Sequence, residues 1–107
     1  MANVFKNALE REIGTTPRTL YTTPANKNSI VIELDACNIS NAAVTVDAYI
    51  TRSAVNYYLV KNAPIPVGGT LQIISGQKIV LTQNDILKIV SNTATSVDTV
   101  ASILEDV

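Results

Sequence analysis

The sequence predicts an all-β domain: a single β-sandwich of about eight antiparallel strands, jelly-roll or immunoglobulin-like in its connections. Three observations point there. From Arg18 onward apolar and polar residues alternate with period two. Turn residues break that alternation roughly every eight to twelve positions, the spacing of sandwich strands. After Gly14 no stretch carries a helical stripe. The immunoglobulin markers of paired Cys and a core Trp are missing, since the chain has one Cys and no Trp.

The first fourteen residues form an N-terminal arm or first strand, ahead of a sandwich domain over 15–107. Val4, Phe5, Ala8, Leu9 and Ile13 match a helical stripe, with Asn3 as a cap and Gly14 as a stop. Phe5, Leu9 and Ile13 also fit one face of a strand. Helix, strand and extended arm stay open, and the residues alone lean towards a helix.

Arg18–Thr22 is a short strand ahead of Pro24. Ser29–Asn38 places Ile30, Ile32, Leu34 and Ala36 on one face, with Val31, Glu33, Asp35 and Cys37 on the other. After the Asn38–Asn41 turn cluster, Ala43–Arg52 points Val44, Val46, Ala48 and Ile50 inward and Thr45, Asp47, Tyr49 and Thr51 outward. Val55–Lys61 is apolar on both faces, which predicts a strand covered on both sides. Pro64 and Pro66 exclude residues 63–69 from a sheet interior and make them a loop or an edge crossing. Thr70–Ile74 and Lys78–Leu81 are short strands around a Ser75-Gly76 turn. Gln83-Asn84-Asp85 is a turn, followed by strands Ile86–Ser91 and Val97–Glu105. In the last strand Val97, Thr99, Ala101 and Ile103 share one face, while Val100 and Leu104 lie on the other.

Composition narrows function. Of 107 residues 47% are apolar and 16% charged, against ~25% charged in ordinary globular proteins. So small a domain needs a polar surface. Either Thr, Ser and Asn supply it, or part of the surface is pressed against another subunit. Eight basic and nine acidic residues are scattered singly, so no basic stripe exists for nucleic acid. The longest apolar runs, such as Tyr57–Val60, fall far short of the ~20 residues that span a bilayer. The N-terminus lacks a signal-peptide layout, and Cys37 has no partner for a disulfide, which fits synthesis in a reducing cytoplasm. Without His, and with one Cys, no zinc site and no Ser-His or Cys-His nucleophile can be drawn.

Acid–base chemistry is left to carboxylates. Glu33, Asp35 and Cys37 share one face of a strand, and Asp47 and Tyr49 would lie within cross-strand reach on the next. That sketches a paired-carboxylate site, although the wet side of any sandwich carries the same pattern. Asp85 is a turn residue and Asp98 a solvated one. Tyr49, Tyr57 and Tyr58 could stack on sugar rings, or pack in a core or at a subunit contact. Gly68-Gly69 has no phosphate-loop spacing, and Asn38-Ile-Ser40 matches a glycosylation sequon by accident. No catalytic, cofactor-binding or metal-binding residue is assigned.

The run Gly14-Thr-Thr-Pro-Arg-Thr-Leu-Tyr21-Thr-Thr-Pro24-Ala opens a broader resemblance. It continues through Tyr58-Leu-Val-Lys61-Asn-Ala-Pro64-Ile-Pro66-Val-Gly68-Gly, Lys78–Leu81, Asn84-Asp85, Ser91-Asn-Thr-Ala and Val100–Glu105. Over most of its length the chain resembles a family of small virion structural proteins of tailed bacteriophages, including phages of cyanobacteria. Such proteins usually carry Gly where this chain has Asn84, which tolerates the same left-handed backbone. The resemblance implies a many-copy, non-enzymatic component of the virion: a capsid decoration or cement subunit, or a neck or tail piece. It would associate with itself and with a major capsid, neck or tail protein, and take no cofactor. The segments expected to reach neighbours are the N-terminal one, through Val4, Phe5, Leu9 and Ile13, and the proline loop, through Pro64, Ile65, Pro66 and Val67.

Overall fold

A computed structural model describes residues 3–105. Met1, Ala2, Asp106 and Val107, the ends of the predicted arm and sandwich domain, lie outside them. Among the described residues eight strands follow in order: β1 (Val4–Ile13), β2 (Arg18–Thr22), β3 (Ser29–Asn38), β4 (Val44–Arg52), β5 (Val55–Ile65), β6 (Thr70–Leu81), β7 (Ile86–Ser91) and β8 (Val97–Glu105).

All pairings are antiparallel, and they nest: β1 with β8, β2 with β7, β3 with β6 and β4 with β5. The chain is therefore one long hairpin, folded at the β4–β5 turn. Rolling that hairpin drops alternate pairs into opposite sheets, ordered β1-β8-β3-β6 and β2-β7-β4-β5. This is the jelly roll, and the strand order excludes the immunoglobulin alternative. Between the sheets, Val31, Leu34, Ile74, Leu81 and Ile103 of the first meet Leu20, Val46, Leu87 and Ile89 of the second.

Four elements resolve or depart from the sequence reading, each for a physical reason. Val4–Ile13 is a strand rather than a helix. A lone ten-residue helix is marginal in water, whereas as a strand its residues Val4–Glu10 pair in unbroken register with Glu105–Thr99 of β8. In β3 a bulge between Val31 and Glu33 inserts one residue, Ile32, against β8 and reverses the in-out phase. Val31 is thereby in the core with Leu34 and Ala36, and the expected inward Ile30 and Ile32 are only half-buried. Residues 70–81 form one strand, not two around a turn. Ser75 and Ile79 both pair with β3, and Gly76 (φ 93°) and Lys78 (φ 54°) carry the bulge between them.

The fourth is β5, which runs on through Pro64, paired with Thr45. It can do so because β5 is an edge strand, where a missing N–H need cost no ladder bond. The edge position also leaves Val55, Tyr57 and Tyr58 exposed instead of covered on both sides.

The turn closing the hairpin is Ser53-Ala54, between the paired Arg52 and Val55. Both residues have positive φ, 53° and 63°, the two-residue geometry that matches strand twist and that Asn-Gly usually supplies. Nothing in Ser-Ala announces it. Replacing Ala54→Gly should remove left-handed strain and raise stability by about 1 kcal/mol, or roughly 4–8 °C in Tm. An unchanged or lower melting temperature by calorimetry would contradict this turn geometry.

Candidate functional site

The polar residues that carry chemistry in other folds are engaged here in holding the backbone. At three irregular points of the fold an aspartate accepts a backbone N–H. At the irregular end of β1, Asp98 Oδ1 accepts from Glu12 N at 2.9 Å, so Asp98 is not merely solvated. At the β4–β5 register shift Asp47 Oδ1 accepts from Asn62 N at 2.7 Å, while its other oxygen meets Lys61 Nζ at 3.2 Å. In the β6–β7 turn, Asn84 takes a left-handed φ of 67° and buried Asp85 accepts from Thr82 N at 2.8 Å. Arg52 Nε donates to the same carboxylate at 2.8 Å and holds it below the usual carboxylate range.

Glu33 and Asp47 never meet. β3 and β4 lie in different sheets, so Glu33, Asp35 and Cys37 face out from the first sheet while Asp47 and Tyr49 face out from the second. The cross-strand carboxylate site drawn from sequence order is not assembled. Glu33 interacts with Asp35 instead, and a hydrogen bond and like charge from Asp35 raise its pKa. Among the described residues no cluster of three potential metal ligands exists.

Asn38 is the densest polar node. It is 1% exposed. Its Nδ2 donates to the carbonyls of Ala42 (2.9 Å), Ile65 (3.0 Å) and Pro66 (3.3 Å), and its Oδ1 accepts from Ser40 N (2.9 Å) and Oγ (2.7 Å). The sequon asparagine is thus a structural pin binding the β3–β4 loop to the end of β5. A second polar link ties the two sheets. Tyr21 of β2 shares a hydrogen bond with Ser29 of β3 (2.7 Å) and donates to Glu105 of β8, which also meets Lys6 of β1 (3.1 Å). Burial and Glu105 push the Tyr21 phenol up to about 12, and the same bond from Tyr21 lowers Glu105.

With chemistry set aside, the outer faces of the sheets remain, and they differ. Across the first sheet, register aligns Phe5, Leu104, Ile30 and Val80 in one apolar row, one residue from each strand. Leu9 and Val100 form a second pair four residues along. Phe5 is 75% exposed, Leu9 63% and Val80 59%. The outer face of the second sheet is wet by comparison. It carries the Asp47–Lys61 ion pair, a Thr51–Asn56 hydrogen bond of 2.7 Å, and Lys88 opposite Tyr49. Its aromatic content is engaged internally. Tyr49 is buried against Tyr58 with ring centroids 5.0 Å apart, and Lys61 Nζ sits 4.7 Å above the Tyr58 ring.

Of the residues expected to reach neighbours, Val4, Phe5, Leu9, Pro64, Pro66 and Val67 are exposed. Ile13 and Ile65 are not available: both are fully buried in the core, because each ends its strand pointing between the sheets. Ile30, Val80, Val100 and Leu104 belong to the apolar face and were not singled out. The outward phase of Val100 and Leu104 was readable from alternation in β8, but the row itself requires knowing which strands are neighbours.

The fold has solved counterparts. A chain from Bacillus endospore appendages, described as a family of disulfide-linked pili, superposes with a TM-score of 0.56 at 10% identity, covering 97% of this chain and 87% of that one. A chain of the infectious bursal disease virus VP2 subviral particle gives a TM-score of 0.50 at 11% identity, covering 97% of this chain but only 40% of that one. At such identities the likeness is one of fold. No family model matches the chain, and no curated protein is significantly similar in sequence.

Two outcomes follow from the polar links. Asn38→Asp keeps the size but loses both donors facing three carbonyls, and should destabilise by about 3 kcal/mol; denaturant unfolding showing under 1 kcal/mol would refute the pin. The Tyr21–Glu105 bond needs neutral phenol and ionised carboxylate. Because the Tyr21 pKa is raised, its contribution is complete below the ordinary value of 10.0 and lost as pH rises through about 12. Because the Glu105 pKa is lowered, its contribution is present above the ordinary 4.5 and lost on acidification through the folded value. The stability gap between wild type and Tyr21→Phe should therefore be widest between these limits and close at both ends. A gap independent of pH would contradict the link.

Proposed function

We propose that this chain is a non-enzymatic structural subunit of a tailed-phage particle, a capsid decoration or cement subunit or a neck or tail piece. In this reading it docks through the outer face and edges of the first sheet, against its own copies and a capsid, neck or tail protein. The observation that carries the reading is the inequality of the two sheet faces. An outer face with exposed apolar rows among Asn7, Ser102, Glu33 and Asp35, opposed by one of ion pairs and hydroxyls, suits a subunit seated on a surface. A free monomer gains nothing by exposing Phe5, Leu9, Val80 and Val100 together. The engagement of Asp47, Asp85 and Asp98 in backbone hydrogen bonds supports a non-catalytic role. The jelly-roll fold, shared with a pilus chain and a viral particle chain, and the sequence resemblance to virion proteins support the setting. The setting also implies synthesis in the host cytoplasm and residence in the virion, with neither nucleic acid nor membrane as partner.

A carbohydrate- or receptor-binding module is the second reading, and the exposed Tyr57 and Tyr58 on β5 are what favour it. The two rings are adjacent in one strand and so lie on opposite faces, and Tyr58 already carries Tyr49 and Lys61. They do not form one platform.

Val80→Glu combined with Val100→Glu places charge on the apolar face at exposed positions, so folding should be unaffected. The variant should show wild-type circular dichroism and melting, yet be left out of particles when supplied in place of the natural chain. Incorporation at wild-type level would refute docking through this face, and specific hits on a glycan array, lost in Tyr57→Ala, would favour the second reading.

A further inference from the structure

A four-stranded sheet has two edges, so this sandwich has four, and three are blunted by the devices that keep edges from pairing. Edge strand β2 is only five residues long and carries a register shift between Thr19 and Tyr21. Edge strand β5 has Pro64, a left-handed Asn62 and two register shifts. Edge strand β6 is broken in its middle by the Gly76–Lys78 bulge. The fourth, β1, differs. Val4–Glu10 are seven consecutive residues in constant register with β8, without Pro, Gly or bulge, and their other side pairs with no strand among the described residues. The regular run ends where Arg18 Nη1 donates to the Arg11 carbonyl (3.2 Å) and Glu12 turns left-handed (φ 58°).

We infer that β1 pairs antiparallel with β1 of a second copy about a two-fold axis at Asn7, joining two first sheets into one eight-stranded sheet. Two-fold antiparallel pairing fixes the sum of opposed residue numbers, and an even sum keeps side chains on matching faces. Centring on Asn7 opposes Val4 to Glu10, Phe5 to Leu9, and Lys6 to Ala8, so it uses the whole regular run and stops where that run stops. It also sets the two most exposed apolar side chains of the strand, Phe5 and Leu9, opposite each other twice. Each apolar row of one copy then continues onto the other: Val80, Ile30, Leu104 and Phe5 lead to the partner's Leu9 and Val100. Centring one residue further, on Ala8, would require Arg11 and Glu12, which are held out of regular strand geometry, and would oppose Phe5 to Arg11. This rests on the assembly reading above and names a second copy of the chain as the partner of the β1 edge.

Engineered cysteines in a Cys37→Ser background report the register in the purified protein. Asn7→Cys lies on the axis and should oxidise to a covalent dimer. Phe5→Cys and Leu9→Cys should each stay without a covalent link alone and link when mixed with each other. Light scattering should show a dimer of the unmodified chain. Leu9→Lys, at an exposed position, should weaken it at least about tenfold, since one substitution removes two cross-strand pairs, while the melting profile of the domain is retained. A monomeric unmodified chain, or Asn7→Cys that links no faster than Phe5→Cys, overturns the inference. Particle composition is read separately. Chain present in virions without Asn7 linkage defeats the strand pairing alone, and linkage without presence in virions defeats the virion reading alone.

Discussion

A hairpin rolled into two sheets must bend its ladders, and every backbone N–H displaced at a bend must find an acceptor or cost about as much as a lost hydrogen bond. That requirement organises the polar residues of this domain. Asp98 serves the broken end of β1, Asp47 the shift between β4 and β5, Asp85 the turn before β7, and Asn38 the loop leaving β3. The three aspartates each serve a left-handed or shifted residue, where the regular pattern fails. The scarcity of charge then reads differently: three of the nine acidic residues, Asp47, Asp85 and Asp98, are committed to backbone geometry.

With the bends sealed from within, the two sheets are free to differ on their outer faces. The second sheet turns ion pairs and hydroxyls to water. The first turns Phe5, Leu9, Val80 and Val100 outward, aligned by register and not by sequence proximity. Sequence alternation sets which side chains face out, pairing sets which of them adjoin, and their adjacency creates a contact face. That chain of causes links composition to the proposed assembly role without any catalytic group.

Much of the fold was legible because period two is a local signal. The strands β2, β4, β7 and β8 and the in-out phase of β8 follow from alternation alone. Three features were hidden for identifiable reasons. The phase of β3 reverses at a bulge, and Ile30-Val-Ile32 reads the same in either phase until the neighbours are known. Ten residues at the N-terminus satisfy both helical and strand periods, and only the edge of β8 decides between them. Pro64 argued against a strand, and the argument lapses because β5 lies at an edge, a position that only topology reveals. The contact face shares that limit. Phe5 and Leu9 were visible as apolar residues of an end segment, but Val80 and Ile30 join them only through pairings between residues far apart in sequence. Ile13 and Ile65 were misassigned for the converse reason, since the last residue of each strand returns to the core.

The claim on which all this depends is that one face of the sandwich is built for contact and the other for water. Hydroxyl-radical footprinting of the free chain against the assembled particle tests it residue by residue. The account predicts that Phe5, Leu9, Val80 and Val100 become protected on assembly while Tyr58 and Lys88 keep their reactivity. Protection of the second sheet, with the first left open to labelling, would contradict it.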